Sequence, residues 1–193
     1  MIAGGHGSRI GGAKATVELG GRPLIAHSLA AIEGAGLQPL VIAKLDTQLP
    51  PLRCAVVRED REPRHPLCGV LAALRSSEPN PLVVLSCDMP FVPAALLAWL
   101  AAQPEPLVAP ALDGRILPFP ARYQGSLRAG LEDALAQGRS MSSALSRLSP
   151  RLLSAEELAG FGDPARICLN VNTVSDLARA EALLSQAAGK ARG

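Results

Sequence analysis

An α/β fold of three layers around a mostly parallel sheet is what the sequence predicts, on three observations. Short β-rich runs alternate with longer stretches of helical periodicity, the signature of parallel strands joined by crossover helices. A glycine-rich loop separates the first apolar residues from the first helical pattern. Leu82–Ser86 is an unbroken apolar run, as expected of a strand buried on both faces. With 193 residues, 48% of them hydrophobic, the chain is long enough for a full core, so residues 1–193 are expected to form one domain.

Met1–Ala3 is the start of a strand and leads into the glycine loop. Pro23 opens a helix in which Leu24, Ile25, Ser28, Leu29 and Ile32 recur at helical spacing, and Gly34 and Gly36 end it. Strands are expected at Pro39–Ala43 and Cys54–Val57, a helix at Pro66–Leu74, the buried strand at Leu82–Ser86, and a helix at Pro93–Ala102. Leu107–Ala109 and Ile116–Tyr123 suggest two strands around an Asp113-Gly114 turn, with the prolines there pointing to an edge or bulged position. Helices follow at Ser126–Ala136 and Ser140–Leu148. Arg166–Asn172 reads as the last strand, and Ser175 as the cap of a closing helix that buries Leu177, Ala180 and Leu184.

Composition narrows the function. A net charge of +2 without a basic cluster argues against a nucleic-acid binder. The longest mostly apolar run, Val92–Ala102, is about half of the roughly 20 residues a membrane span needs, so no membrane association is expected. Cys54, Cys68, Cys87 and Cys168 form no C-x-x-C pair, which points to reduced thiols in a cytoplasmic protein. Aromatic residues make up 3% of the chain, leaving little for hot-spot interfaces, so a monomer or a weak homo-oligomer is expected.

Chemistry concentrates in two places. Residues 4–12 carry five glycines, Gly4, Gly5, Gly7, Gly11 and Gly12, which let backbone N–H groups approach a phosphate chain closely. Arg9 and Lys14 supply positive charge to neutralise a triphosphate and a departing pyrophosphate. Neither the P-loop nor the dinucleotide G-x-G-x-x-G spacing fits. The second place is Ser86-Cys87-Asp88-Met89-Pro90, with a carboxylate at the C-terminal tip of the most buried strand, where ligands of open α/β sheets collect. Asp88 suits a Mg²⁺ ion bridging phosphate oxygens; the other reading is a cap for the helix after Pro90. Asn170-Val171-Asn172-Thr173 admits amide contacts to an acceptor or metal, or a turn in which Thr173 or Ser175 caps the closing helix.

These motifs together resemble the molybdenum cofactor guanylyltransferase family, within the nucleotidyltransferases built on a Rossmann-like nucleotide-diphospho-sugar transferase fold. Ile2-Ala3-Gly4-Gly5, Arg9-Ile10-Gly11 and Lys14 match its opening loop, and His65-Pro66-Leu67-Cys68-Gly69 its Gly-Pro-Leu-Ala-Gly. Cys87-Asp88-Met89-Pro90 matches its Cys-Asp-x-Pro, and Asn170 to Leu177 its late Asn-x-Asn-Thr motif. The resemblance implies transfer of GMP from GTP to the phosphate of a molybdopterin-type acceptor, with Mg²⁺ on Asp88. It implies nucleotide contacts from Ile2, Ala3, Gly4, Gly5, Gly11, Lys14, Asp60 and Gly69, catalysis by Arg9, Lys14 and Asp88, and acceptor contacts from Asn170 and Asn172. Glu59 is an alternative to Asp60. Gly4 stands where cytidylyl relatives tend to have Ala, which leaves room for a purine.

The chain departs from the family's pattern at Ala13, where an acid normally precedes the lysine, and at Ala43-Lys44-Leu45-Asp46, in place of an Asn-x-Asn. Its apolar strand before the glycine loop is also short, so that this strand is cut short or the true start lies upstream. Cytidylyl transfer, transfer to another small phosphate, and a catalytically silent nucleotide-binding protein are the competing readings.

Overall fold

The computed structural model describes residues 1–3, 14–60 and 62–190. Gly4, Gly5, Arg9 and Gly11, all expected at the site, lie outside the described residues, as does His6.

A 3₁₀ turn at Lys14–Thr16 is followed by a small hairpin, β1 (Glu18–Leu19) and β2 (Arg22–Pro23). Its turn residues Gly20 and Gly21 have φ of 59° and 71°, and the positive φ at both positions is what a two-residue hairpin loop demands. Helix α1 (Leu24–Gly34) leads to β3 (Leu40–Lys44), β4 (Ala55–Glu59), α2 (Pro66–Ser77), β5 (Leu82–Val84) and α3 (Ala94–Ala101). Next come β6 (Leu107–Leu112), β7 (Arg115–Ile116), β8 (Ala121–Tyr123), α4 (Arg128–Ala136) and α5 (Met141–Arg147). The chain continues through β9 (Arg151–Leu153), α6 (Ala155–Ala159), α7 (Pro164–Ile167) and α8 (Val174–Lys190).

Met1–Ala3 lies at the middle of the sheet. Ile2 bridges Ile42 on one side and Ser86 on the other, both in parallel. Backbone bonds from Ile2 N to Leu85 O and from Ala3 N to Ile42 O, each 2.8 Å, complete the ladders. The strand order is therefore β4, β3, Met1–Ala3, β5, β8, β6, β9, with β8 alone antiparallel to its neighbours along that path. From Met1–Ala3 the chain goes to β3 and β4 on one side and returns to β5 on the other. Such a reversal opens a crevice beyond the strands' carboxyl ends.

Period-two alternation sorts the apolar side chains onto the two faces. Ala3, Val41, Ala43, Leu85 and Val108 pack with α1, α3 and α6 through Ile25, Ile32, Leu96, Leu97, Leu100 and Leu158. Val84, Leu107, Ala109, Ala121 and Tyr123 pack with α2, α4 and α5 through Leu67, Val70, Leu71, Leu74, Leu131, Ala144 and Leu145. This is the expected α/β sandwich of three layers. A smaller cluster joins Leu19 and Leu24 to Leu169, Val171 and Ala180, holding α8 against the hairpin. No helix among the described residues is long and apolar enough to cross a membrane.

Three expectations need correction. Arg166–Asn172 is not a strand: Asp163 accepts from Ala165 N at 3.0 Å and Pro164 takes the first helical position, so a helical turn forms and residues 168–173 run on as loop. Ile116–Tyr123 is not one strand: β7 ends at Ile116 and, paired with β6, takes the edge position the prolines suggest, whereas Pro118 and Pro120 precede β8, which sits between β5 and β6. The closing helix is capped by Thr173 rather than Ser175, its hydroxyl accepting from Asp176 N at 3.1 Å. The hairpin β1–β2, β9 and α6 are additional elements.

Candidate active site

A cleft of about 360 Å³ opens beyond the carboxyl ends of the central strands, lined on one side by Lys14, Ser86, Cys87 and Asp88, and on the other by Lys44, Glu59, Arg64, His65 and Pro66. Ile2, Gly69 and Phe119 complete it. Ile2 comes from the middle strand and Gly69 from the first turns of α2. The two touch so closely that a Cβ on Gly69 would stand 3.1 Å from Ile2 Cδ1. Helix α2 starts at this point because Pro66 supplies a preset φ and His65 Nδ1 accepts from Leu67 N at 3.2 Å.

At the β5 side, Lys14 Nζ donates to Asp88 Oδ2 at 2.8 Å and also to Asn172 Oδ1. Three distant points of the chain thus converge on one ammonium group. Asp88 is only 6% exposed and does not cap α3, whose N-terminal residue Pro93 offers no side-chain bond. Its other oxygen, Oδ1, is buried with no hydrogen-bond partner among the described residues. A buried, unmatched carboxylate oxygen is costly unless a ligand completes it. Together with the amide oxygen of Asn172, it provides the hard oxygen donors that suit Mg²⁺, whose remaining positions are filled by phosphate and water.

The late loop that carries Asn172 is fixed twice. Val171 N donates to Asp88 O at 2.9 Å, tying the loop to the strand tip. Asp176 Oδ2 accepts from Asn172 N, Thr173 N and Thr173 Oγ1 within 3.0 Å, while Thr173 caps α8 in return. The Thr173 hydroxyl, with these backbone N–H groups, holds the Asp176 carboxyl below the usual range.

On the β3–β4 side, Lys44 is 5% exposed. Its ammonium donates to Pro63 O at 3.1 Å and faces Glu59 Oε1 at 3.6 Å. Burial raises the Glu59 carboxyl, with the Lys44 charge acting against it. Arg64, at the rim, is engaged by Asp46 and Glu62. Burial and the Asp88 charge push the Cys87 thiol up to about 12, which leaves it a protonated, inert group beside the carboxylate.

Of the residues singled out from the sequence, Ile2, Lys14, Gly69 and Asp88 meet in the cleft, with Asn172 joined to them through Lys14. Ala3 is buried in the sheet just behind. Asp60 is exposed and does not line the cleft; the neighbouring Glu59 does. Asn170 is exposed and spends its amide on Cys168 O at 3.1 Å, away from Lys14. Lys44, His65 and Phe119 are cleft residues that sequence reasoning did not select.

A lysine and a strand-tip carboxylate gathered at a switch point, in a chain whose residues 4–12 carry five glycines, fit a nucleotidyltransferase. The sequence matches the MobA-like NTP transferase domain over residues 1–152, and the chain belongs to that family. A molybdenum cofactor guanylyltransferase from Cereibacter sphaeroides is 37% identical, the alignment covering 95% of each chain. A probable molybdenum cofactor guanylyltransferase from Carboxydothermus hydrogenoformans is 27% identical over 91% of this chain and 90% of the relative. Among solved structures, molybdopterin-guanine dinucleotide biosynthesis protein A from Archaeoglobus fulgidus superposes with a TM-score of 0.78 at 28% identity, covering 96% of this chain and 97% of the other.

Proposed function

We propose that the chain transfers GMP from GTP to the phosphate of a molybdopterin-type acceptor in molybdenum cofactor biosynthesis. An acceptor phosphate oxygen attacks the α-phosphorus of GTP, a new phosphoanhydride bond forms, and the bond to the bridging oxygen breaks. That oxygen leaves with the electron pair as pyrophosphate. Such a displacement needs alignment and charge neutralisation rather than a covalent nucleophile. Lys14 holds the phosphates, and Asp88 with Asn172 would hold Mg²⁺, which supplies charge neutralisation on the phosphate oxygens. Ile2 and Gly69 flank the nucleotide, and Arg9 adds a second positive charge from the glycine loop.

The observation that carries this reading is the convergence of Lys14, Asp88 and Asn172 at the switch point, one of Asp88's buried oxygens having no partner among the described residues. The guanylyltransferase relatives supply the base and the acceptor. A panel of nucleoside triphosphates with Mg²⁺, read first by thermal shift and then by pyrophosphate release on adding molybdopterin, tests it. A ligand at 100 times its Kd stabilises by about 2.7 kcal/mol, which a melting curve resolves. GTP is expected to give the largest shift and to support release. A preference for CTP would overturn the guanylyl assignment, and absence of release with any phosphorylated acceptor would make the chain a silent nucleotide binder.

A further inference from the structure

Ser28, on α1, does not line the cleft, yet it is a polar side chain only 1% exposed, at an inward position among Leu24, Ile25 and Ile32. A hydroxyl buried there costs free energy unless its proton finds an acceptor. Its Oγ lies 3.4 Å from Ser86 O and 3.5 Å from Met89 O, so one proton is shared between two carbonyls. Those carbonyls are the two ends of the turn that presents Asp88, which is closed by Met89 N donating to Ser86 O at 3.3 Å.

Helix α1 is also tied to the segment that follows Lys14. Leu24 N donates to Val17 O at 2.8 Å, and His27 Nε2, which must bear the ring proton to face a carbonyl, donates to Leu19 O at 2.9 Å. His27 and Ser28, neighbours on one helix, thus hold the two chain segments whose side chains meet as Lys14 and Asp88. The direct Lys14–Asp88 bond is given up once Lys14 turns to phosphate oxygens, and the alignment of the Asp88 turn then depends on its other links. One is Val171 N, which donates to Asp88 O from the late loop. The other is the Ser28 hydroxyl, on a helix whose Ile25 and Ile32 are packed in the main core.

We propose that Ser28 is a positioning residue for the transfer reaction: its hydroxyl fixes the Ser86–Met89 turn against α1 and so sets the Asp88 carboxylate for its metal. The proposal rests on the assignment of Mg²⁺ to Asp88. It gives Ser28 no contact with substrate and no share in holding the nucleotide.

Ser28→Ala removes the hydroxyl and keeps the packing of α1. Two binding measurements on the full chain test it: the Mn²⁺ concentration that half-saturates the protein with GTP bound, followed by water-proton relaxation with Mn²⁺ standing in for Mg²⁺, and the affinity for GTP in EDTA. In Ser28→Ala the half-saturating Mn²⁺ concentration is expected to rise by about tenfold, the lower end of what losing an outer partner of a metal ligand costs. The transfer rate at limiting Mg²⁺ is expected to fall with it and to recover as Mg²⁺ is raised. Affinity for GTP in EDTA is expected to stay unchanged, since Lys14 is untouched, whereas a general loosening of the fold would weaken both. Should Ser28→Ala not fold, Ser28→Cys keeps close to the same volume with a weaker S–H donor and is expected to move the Mn²⁺ concentration the same way by less. An unchanged Mn²⁺ concentration in the folded variant, or an equal loss of GTP affinity in EDTA, overturns the proposal and leaves the guanylyl reading standing. Asp88→Asn binding Mn²⁺ as tightly as the unmodified protein removes the metal assignment itself, and the proposal falls with it.

Discussion

The two walls of the cleft are assembled on opposite principles. On the β5 side, residues 14, 88 and 172 come from a 3₁₀ turn, a strand tip and a late loop, and their contacts leave a buried carboxylate oxygen with no partner among the described residues. On the β3–β4 side, Lys44 and Glu59 are neighbours on one rung and neutralise each other. The first wall has capacity to spare for charge, as a triphosphate and its metal require. The second is built on a buried, self-neutralising ion pair, with Arg64 at its rim held by Asp46 and Glu62. Substitutions on the first wall should therefore change rate and charge-dependent binding more than those on the second.

The largest effect is expected from Asp88→Asn. The amide keeps the shape but loses the charge that holds Mg²⁺, so nucleotidyl transfer should fall by about 100-fold or more. The fold should persist, since Asn presents an oxygen to Lys14 in the same place. Turnover by the purified variant, measured beside its melting temperature, checks this. Near-normal turnover would show that the β5 wall is not the charged one in function.

Lys14→Ala should be smaller in rate but visible in stability. The lysine is half-buried and paired, so its loss strands the Asp88 carboxylate, at a cost of about 1–3 kcal/mol. Nucleotide binding should weaken at the same time. In the double variant Lys14→Ala/Asp88→Asn the stability cost should largely disappear, because no unpaired charge remains. Urea denaturation of the two single variants and the double variant gives the coupling directly; additive losses would mean the pair is not coupled.

The contrast between the walls also explains what the sequence disclosed. Lys14, Gly69 and Asp88 were legible because each belongs to a local pattern: a loop dense in glycine, a Pro-initiated helix start and a carboxylate ending an apolar strand. Five elements, α1, β3, α2, β5 and α3, were legible for the same reason, each being an apolar run that opens on or directly after a proline. Lys44 and Glu59 were not, since their meeting depends on the register between two strands, and a register shifted by one residue would separate them. Arg166–Asn172 misled because Ile167, Leu169 and Val171 alternate like a strand and are indeed buried. Asp163 and Pro164 outweigh that alternation by starting a helical turn, while β9 has only three residues, too few to signal itself.

A more modest effect concerns the support of Asn172. Asp176→Asn removes the carboxylate that accepts from Asn172 N, Thr173 N and Thr173 Oγ1, and cap losses of this kind cost about 1 kcal/mol. The hydrogen bond from Thr173 lowers the Asp176 carboxyl in the folded state, so its stabilisation is present above the unfolded carboxyl's ordinary 3.8 and is lost as the pH falls below it, through the lower folded value. The stability gap between the unmodified protein and Asp176→Asn should accordingly be full at neutral pH and shrink in acid. Urea midpoints taken across that range check the sign; a gap that widens in acid would contradict it.

The smallest net effect on stability is expected from Gly69→Ala, which probes the boundary between the two walls. Glycine in the middle of a helix costs about 1 kcal/mol relative to alanine, so the change favours α2 intrinsically. Against this, the new methyl would stand 3.1–3.3 Å from three carbons of the Ile2 side chain, which must give way by a few tenths of an ångström. Overpacking of that sort costs about 1–3 kcal/mol when the neighbour is held on all sides. Ile2 is not so held, since one side of it faces the cleft, and it can yield in that direction. The two contributions should nearly cancel in the melting temperature, while the displaced Ile2 narrows the space for a nucleotide. Affinity for GTP should fall by several-fold, as a binding titration beside the melting curve would show. An unchanged affinity for GTP in a stable Gly69→Ala would show that Ile2 does not border the nucleotide.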